Sequence, residues 1–211
     1  MNSFPIDPAQ LAPFLVAVSL IELTPGPNMG YLAALSASEG RRAGFKAVFG
    51  ITTALAIYMV LAAVGVAELI AAAPLVLATL RWAGVAFLVY LGWQAWNGAR
   101  ELSPGHGDGF DHAPFWRGFI ANILNPKALI FYVALLPGFI APDRAPFWAQ
   151  ALMLGLTHVL VSVLVHAGIV VAFSRAGQLL AKTSYIVVLR RVLAIGIVLV
   201  AAWLAWDTRS V

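Results

Sequence analysis

Two stretches decide how this sequence folds: Leu23-Thr24-Pro25-Gly26-Pro27-Asn28 and Asn122-Ile123-Leu124-Asn125-Pro126-Lys127. Each lies inside a long apolar run and interrupts it. Proline removes an intrahelical hydrogen bond, and its ring clashes with the preceding turn, so a helix kinks or ends there. In hydrocarbon the freed backbone groups are costly unless they meet protein or line a wet cavity. Matching interruptions in the two halves of a chain point to a transporter's substrate site.

Working outward, 62% of the 211 residues are hydrophobic and 10% are charged. Soluble domains carry roughly 25% charge, so this chain has too little polar surface to cover a soluble core. It reads as a multi-span membrane protein. There is no cysteine, which excludes disulfides, thiolate metal sites and thiol redox chemistry. The pI of 9.8 could point to nucleic acid. The basic residues instead sit between apolar runs, so they read as topology signals and no nucleic-acid partner is expected. The opening Met1-Asn2-Ser3-Phe4-Pro5-Ile6-Asp7-Pro8 has no basic leader region, and the first span is expected to be retained.

A spanning helix needs about 20 mostly apolar residues. Six such runs are present: 10–37 with the first break inside it, 44–66, 74–98, 115–141 with the second break, 147–173 and 186–206. The expected fold is all-α: a polytopic membrane protein of six transmembrane helices, built as two inverted three-helix repeats with the first and fourth helices broken. One transporter domain, 1–211, would comprise halves 8–98 and 115–207 joined by a cytoplasmic linker, 99–114. Arg41, Arg42 and Lys46 mark the first connection, Arg100 and Arg117 the third, and Arg175, Lys182, Arg190 and Arg191 the fifth. The second connection, 66–73, has no basic residue, and the fourth has only Arg144. Cytoplasmic connections carry the excess of Lys and Arg, so both termini are expected to be periplasmic. Trp203 and Trp206 would lie at the outer interface, and Arg190 and Arg191 would snorkel to the inner headgroups. Shifting the sequence by 101 residues lays Pro25 on Pro126, and with it Phe14 on Phe115, Tyr31 on Tyr132 and Leu35 on Leu136.

The breaks carry groups that could do chemistry. Thr24 is expected to cap the restarting helix, with Pro25 or Pro27 in its first turn. Asn125 and Pro126 would do the same at the second break. Helix N-termini present free N–H groups and partial positive charge, which suits a carboxylate. Glu22 falls near mid-bilayer, where an ionisable group costs at least about 2.5 kcal/mol and is a functional candidate. It would receive a substrate ammonium or a coupling proton, or else be a structural partner for Lys127 or Arg81. Lys127 would attract a carboxylate, hold Glu22 ionised, or snorkel. Asn28 and Asn122 would bond a zwitterion or satisfy broken backbone. His166, and His158 two turns before it, titrate near neutral pH and could relay protons, or be hydrogen-bonded interior residues. Arg81 is expected to snorkel outward.

Other chemistry is not encoded. The stretch from Pro104 to His112 contains His106, Asp108, Asp111 and His112, but its glycines fix no ligand spacing. A flexible linker is expected, with no metal and no cofactor. There is no Ser-His-Asp pattern, HExxH or phosphate loop, so the chain does not read as an enzyme. Gly84, Gly92, Gly155 and Gly168 are expected to permit close helix contact.

Glu22-Leu-Thr-Pro-Gly-Pro-Asn28, followed by Gly40-Arg-Arg-Ala-Gly-Phe45, resembles the N-terminal signature of the lysine exporter / homoserine–threonine resistance (LysE/RhtB) family. Asn122 through Leu136-Pro137, with Asn125-Pro126-Lys127-Ala128, resembles its second signature. The resemblance covers nearly the whole chain. It implies a bacterial inner-membrane exporter of amino acids or related metabolites, driven by the proton-motive force and working by alternating access. Carried over by position, Thr24, Pro25, Gly26, Pro27 and Asn28 match the first motif, and Asn125, Pro126 and Lys127 the second. Members often have Asp where this chain has Asn28, and Glu22 is the candidate to replace that charge. The branch exporting basic amino acids carries carboxylates in the second span and after the second break. Here those regions hold Thr52, Thr53, Leu129, Ile130 and Phe131, so neutral substrates such as threonine or homoserine are favoured. The expected substrate set is Glu22, these motif residues and Asn122, with Glu22 and His166 for proton coupling. Membrane lipid is the other expected partner, and self-association is left open. A metal-cation exporter of related fold is the alternative.

Overall fold

The computed structural model describes residues 5–24, 26–65, 73–98, 113–180 and 185–209. Every regular element among them is helical: α1 (Pro8–Leu23), α2 (Pro27–Ala63), α3 (Pro74–Gly98), α4 (Ala113–Ile123), α5 (Pro126–Ile130), a π turn (Phe131–Leu135), a 3-10 turn (Leu136–Phe139), α6 (Phe147–Leu180) and α7 (Tyr185–Arg209). Proline opens α1, α2, α3 and α5, where its missing N–H would have had no intrahelical partner anyway. Asp7 completes the start of α1 by accepting from Ala9 N at 3.1 Å.

The run from Pro27 to Ala63 is not one rod. Gly40 has φ 82°, a left-handed conformation that costs little only in glycine. The side chain of Asn122 bonds Asn28 at 2.6 Å and the carbonyl of Ile51 at 3.3 Å. A straight helix would hold Asn28 and Ile51 about 35 Å apart, so the chain must reverse at Gly40. The two arms, 27–39 and 41–63, are the parts expected in spans 10–37 and 44–66, and the basic turn Arg41-Arg42 sits at their junction. Glu39 and Arg117 pair at 3.7 Å near the same tip.

By length and composition, Asn28–Ala63 and Phe147–Leu180 can each cross a membrane. The pair Ala113–Ile123 and Pro126–Phe139, bent by 51°, makes a third if read as one broken span. Given the reversal at Gly40, arm 41–63 alone, about 35 Å long, suits a hydrocarbon core of about 30 Å. Leu20, Leu164, Leu199 and Trp206 are exposed while Phe14, Leu32, Ile51 and Leu154 are fully buried. Such an apolar exterior belongs against lipid. The molecule is an all-helical, multi-pass membrane protein.

Helix α2 packs on α6 and α4, and α3 pairs with α7. A Cβ at Gly50 would overlap the Phe115 carbonyl, and one at Gly118 the Ala47 carbonyl, so α2 and α4 meet backbone to backbone. Gly84, Gly92 and Gly155 are also tightly faced, as expected. Gly168 has nothing within 4 Å, so its expected packing role is corrected. Pro25, the linker 99–112, the connection 66–72 and Lys182 lie outside the described residues, as do the side chains of Arg81, Arg190 and Trp203.

Candidate functional site

At the first break the reading of Thr24 needs correction. Its hydroxyl donates to the Leu20 carbonyl at 2.7 Å, and its N–H reaches the Leu20 and Ile21 carbonyls. Thr24 therefore closes α1 and does not cap α2. A threonine hydroxyl competes for the carbonyl four residues back, and here that bond wins. The N-cap of α2 is Gly26, in extended backbone and without a side-chain bond, and Pro27 takes the first turn. At the second break Asn125 accepts from Lys127 N at 3.1 Å, and Pro126 opens α5, as its sequence requires.

The two breaks meet. Lys127 Nζ donates to the Thr24 carbonyl at 3.0 Å, so a charged side chain of one break satisfies a carbonyl freed at the other. The Lys127 stem also lies over Gly26, 3.7 Å from where a Cβ would stand. Asn28 Nδ2 donates to Asn122 Oδ1, and Asn122 Nδ2 to the Ile51 carbonyl. A carbonyl can only accept, which fixes both carboxamide orientations and leaves Asn28 Oδ1 without a donor.

Glu22 does not take Lys127 as its hydrogen-bonding mate, and the Arg81 side chain lies outside the described residues. Glu22 Oε1 lies 3.1 Å from His158 Nε2, and Oε2 has no donor among the described residues. The other ring nitrogen of His158 lies 3.3 Å from the Tyr132 hydroxyl. His166 instead pairs through Nδ1 with Ser162 Oγ at 3.0 Å. Glu22, Gly26 and Asn28 from the first break, Asn122, Asn125 and Lys127 from the second, and His158 and His166 from α6 line one cavity. Its volume is about 10 Å³, room for one water at most. A wider groove of about 380 Å³ beside it is lined by Ile21, Thr24, Lys127, Ile130, Phe131, Ala134 and Leu135. Most of that lining is apolar, and Thr24 and Lys127 are its polar members.

Chemically, the small cavity is divided. Glu22 and Asn28 are 6% and 5% exposed, and each holds a buried acceptor oxygen with no donor among the described residues. A buried acceptor without a donor costs about 1–3 kcal/mol, so a cationic group with several N–H donors would be welcome there. Lys127 offers the complement: an ammonium has three donors, and the Thr24 carbonyl takes one of them. No group of three or more His, Cys, Asp or Glu that could hold a metal ion occurs among the described residues.

Sequence reading ranked His158 behind His166 and passed over the chemistry of Tyr132. A signal for the first was available: His158, Ser162 and His166 recur every four residues and share one helix face. Nothing local marks Tyr132 as a partner of α6.

Residues 19–208 match the family described as LysE type translocator. The homoserine/homoserine lactone efflux protein of Salmonella typhimurium is 34% identical over 157 residues, covering 74% of this chain and 76% of its own length. A protein of the same name from Salmonella typhi matches equally, at 34% over 157 residues, 74% of this chain and 76% of its own. An uncharacterized membrane protein of Vibrio cholerae is 31% identical over 170 residues, 78% of this chain and 81% of its own. No solved structure matches.

Proposed function

This chain belongs to the LysE-type translocator family, a transporter family and not an enzyme class, and from that premise we propose that it exports a neutral amino acid or a related small zwitterion. The observation that carries the reading is the meeting of two broken helices around opposed charges. Glu22 and Asn28 supply unpaired acceptors for an ammonium, and Lys127 together with the helix starts at Pro27 and Pro126 supplies donors and positive charge for a carboxylate. Similarity to proteins named homoserine/homoserine lactone efflux proteins supports a substrate of that size and charge.

A neutral side chain is favoured. Thr52 and Thr53 bond their own backbone, each at 2.8 Å, and Leu129 and Ile130 are apolar, so a second cationic group would find no counter-charge. The cavity is too small for an amino acid, and loading requires the breaks to part. We assign the motion to alternating access by halves 8–98 and 115–207 of one domain in the bacterial inner membrane, with both termini periplasmic and six crossings. Coupling to the proton gradient runs through Glu22 and the histidines of α6.

Expression should raise resistance to toxic amino-acid analogues and lower the internal pool of the exported amino acid. In proteoliposomes, an outward gradient of labelled homoserine or threonine should drive saturable efflux that an imposed proton gradient accelerates. Absence of efflux across the full set of neutral amino acids would remove this reading. Replacing His106, Asp108, Asp111 and His112 together should leave metal tolerance unchanged. Loss of tolerance would favour cation export.

A further inference from the structure

We infer that His158 is the proton-exchange partner of Glu22, with Tyr132 as the group that lets its ring load and unload, so that a substrate ammonium and the His158 proton take turns on one carboxylate. This rests on the export reading above and adds its coupling step.

His158 is 1% exposed and is held at both ring nitrogens, by Glu22 Oε1 at 3.1 Å and by the Tyr132 hydroxyl at 3.3 Å. Neutral imidazole with its hydrogen on Nε2 donates to Glu22 and accepts from the tyrosine. Imidazolium donates at both nitrogens, and the hydroxyl rotates to accept, since it can do either. Both protonation states therefore keep every ring nitrogen bonded. A backbone carbonyl in place of Tyr132 would only accept and would orphan Nδ1 in the neutral form that donates to Glu22. Tyr132 stands in the π turn Phe131–Leu135, an irregularity found often at functional sites. The ring of Phe131 covers the imidazole at 3.8 Å between centroids.

The charged and titratable groups around His158 come from every side. Glu22 faces it from α1, Lys127 lies across the cavity on α5, His166 lies two turns along α6, and Tyr58 of α2 stacks on Tyr132 at 6.0 Å. Glu22 is the one acid among them. In a medium of low dielectric a single carboxylate offsets a single cation. When a substrate ammonium docks on Oε2, the imidazolium loses its compensation. Its Nδ1–H bond breaks, the electron pair stays on nitrogen, and water on the open side takes the proton. When the substrate leaves on the opposite face, a proton returns to Nδ1 from there. Each cycle then moves one zwitterion out and one positive charge in.

The test uses the purified full chain, with homoserine and a set of neutral amino acids as probes. Wild type should release about one proton per amino acid bound, and export should generate current. His158→Gln can still donate to Glu22 but cannot titrate. Its binding should release no proton, and its gradient-driven efflux should fall at least about tenfold relative to its own counterflow exchange. Wild-type proton release or gradient response in His158→Gln would overturn the inference. If that variant does not insert, Tyr132→Phe decides. Imidazolium then lacks an acceptor at Nδ1, and the protons released per amino acid bound should fall by about half or more, so unchanged release overturns the inference. A wild type that exchanges amino acids without releasing protons overturns this coupling step alone. One that exchanges none overturns the export reading and this step with it.

Discussion

At the first break the helix restarts from Gly26, whose backbone alone forms the cap. At the second it restarts from Asn125, whose carboxamide holds the Lys127 N–H at 3.1 Å. The prolines that open the two restarts, Pro27 and Pro126, are 99 residues apart. By cap position the two starts correspond at a shift of 99, whereas the sequence shift of 101 lays Pro25 on Pro126. Counted from their caps, Asn28 and Lys127 take the same second position. One is neutral, tied to Asn122 and left with an open acceptor; the other is charged and reaches across to the opposite break. Two similar backbone devices therefore carry unlike side chains, and on the export reading proposed above that inequality would orient a zwitterion once the breaks part.

The largest expected effect comes from the acid beside the first break. Glu22→Gln leaves His158 without a counter-charge, and breaking a buried pair costs at least about 3 kcal/mol. Proton-driven efflux should fall by about two orders of magnitude with insertion intact. Full efflux by a well-inserted variant would remove Glu22 from the mechanism. Next comes the charge at the second break. Lys127→Met should raise the KM for an amino acid by about tenfold or more, the scale of a lost charge-assisted hydrogen bond at about 1.5–3 kcal/mol. The same change should matter much less for the corresponding amino-acid amide, which lacks the carboxylate. Equal losses for both would show that Lys127 only seals the Thr24 carbonyl.

Smaller effects test the caps. Asn125→Ala should cost about 1 kcal/mol of stability, read as a lowered unfolding temperature in detergent. Gly26→Ser, at a position with φ −150° that any residue can adopt, should gain a few tenths of a kcal/mol by adding the missing cap. If the serine change destabilised more than the loss of Asn125, the two starts would not be the same device.

Much of this arrangement could be read from residue order. Proline at the head of a segment set the starts of α3 and α5, and Asn125 before Pro126 foretold its own cap, because each effect is local to one turn. Gly40-Arg41-Arg42 marked the reversal for the same reason. Thr24 misled because its hydroxyl can serve either the helix that ends or the one that starts, and in the fold it bonds the Leu20 carbonyl behind it. The partner of Glu22 was out of reach: His158 lies 136 residues away, and Lys127 was the nearer guess by charge. Helical pattern gives no warning of the π turn that delivers Tyr132, since its sequence, Phe131-Tyr132-Val133-Ala134-Leu135, would serve equally in an α-helix.

The absence of cysteine permits one direct test of whether the two breaks enclose the substrate. The Cβ of Gly26→Cys would meet only ordinary contacts, 3.7 Å or more, beside Lys127, and labelling of the thiol by a membrane-impermeant reagent can be followed from each face of the membrane. The expected result is labelling that a transported amino acid suppresses in proportion to its occupancy. Labelling that no transported amino acid alters would contradict the meeting of the breaks around the solute.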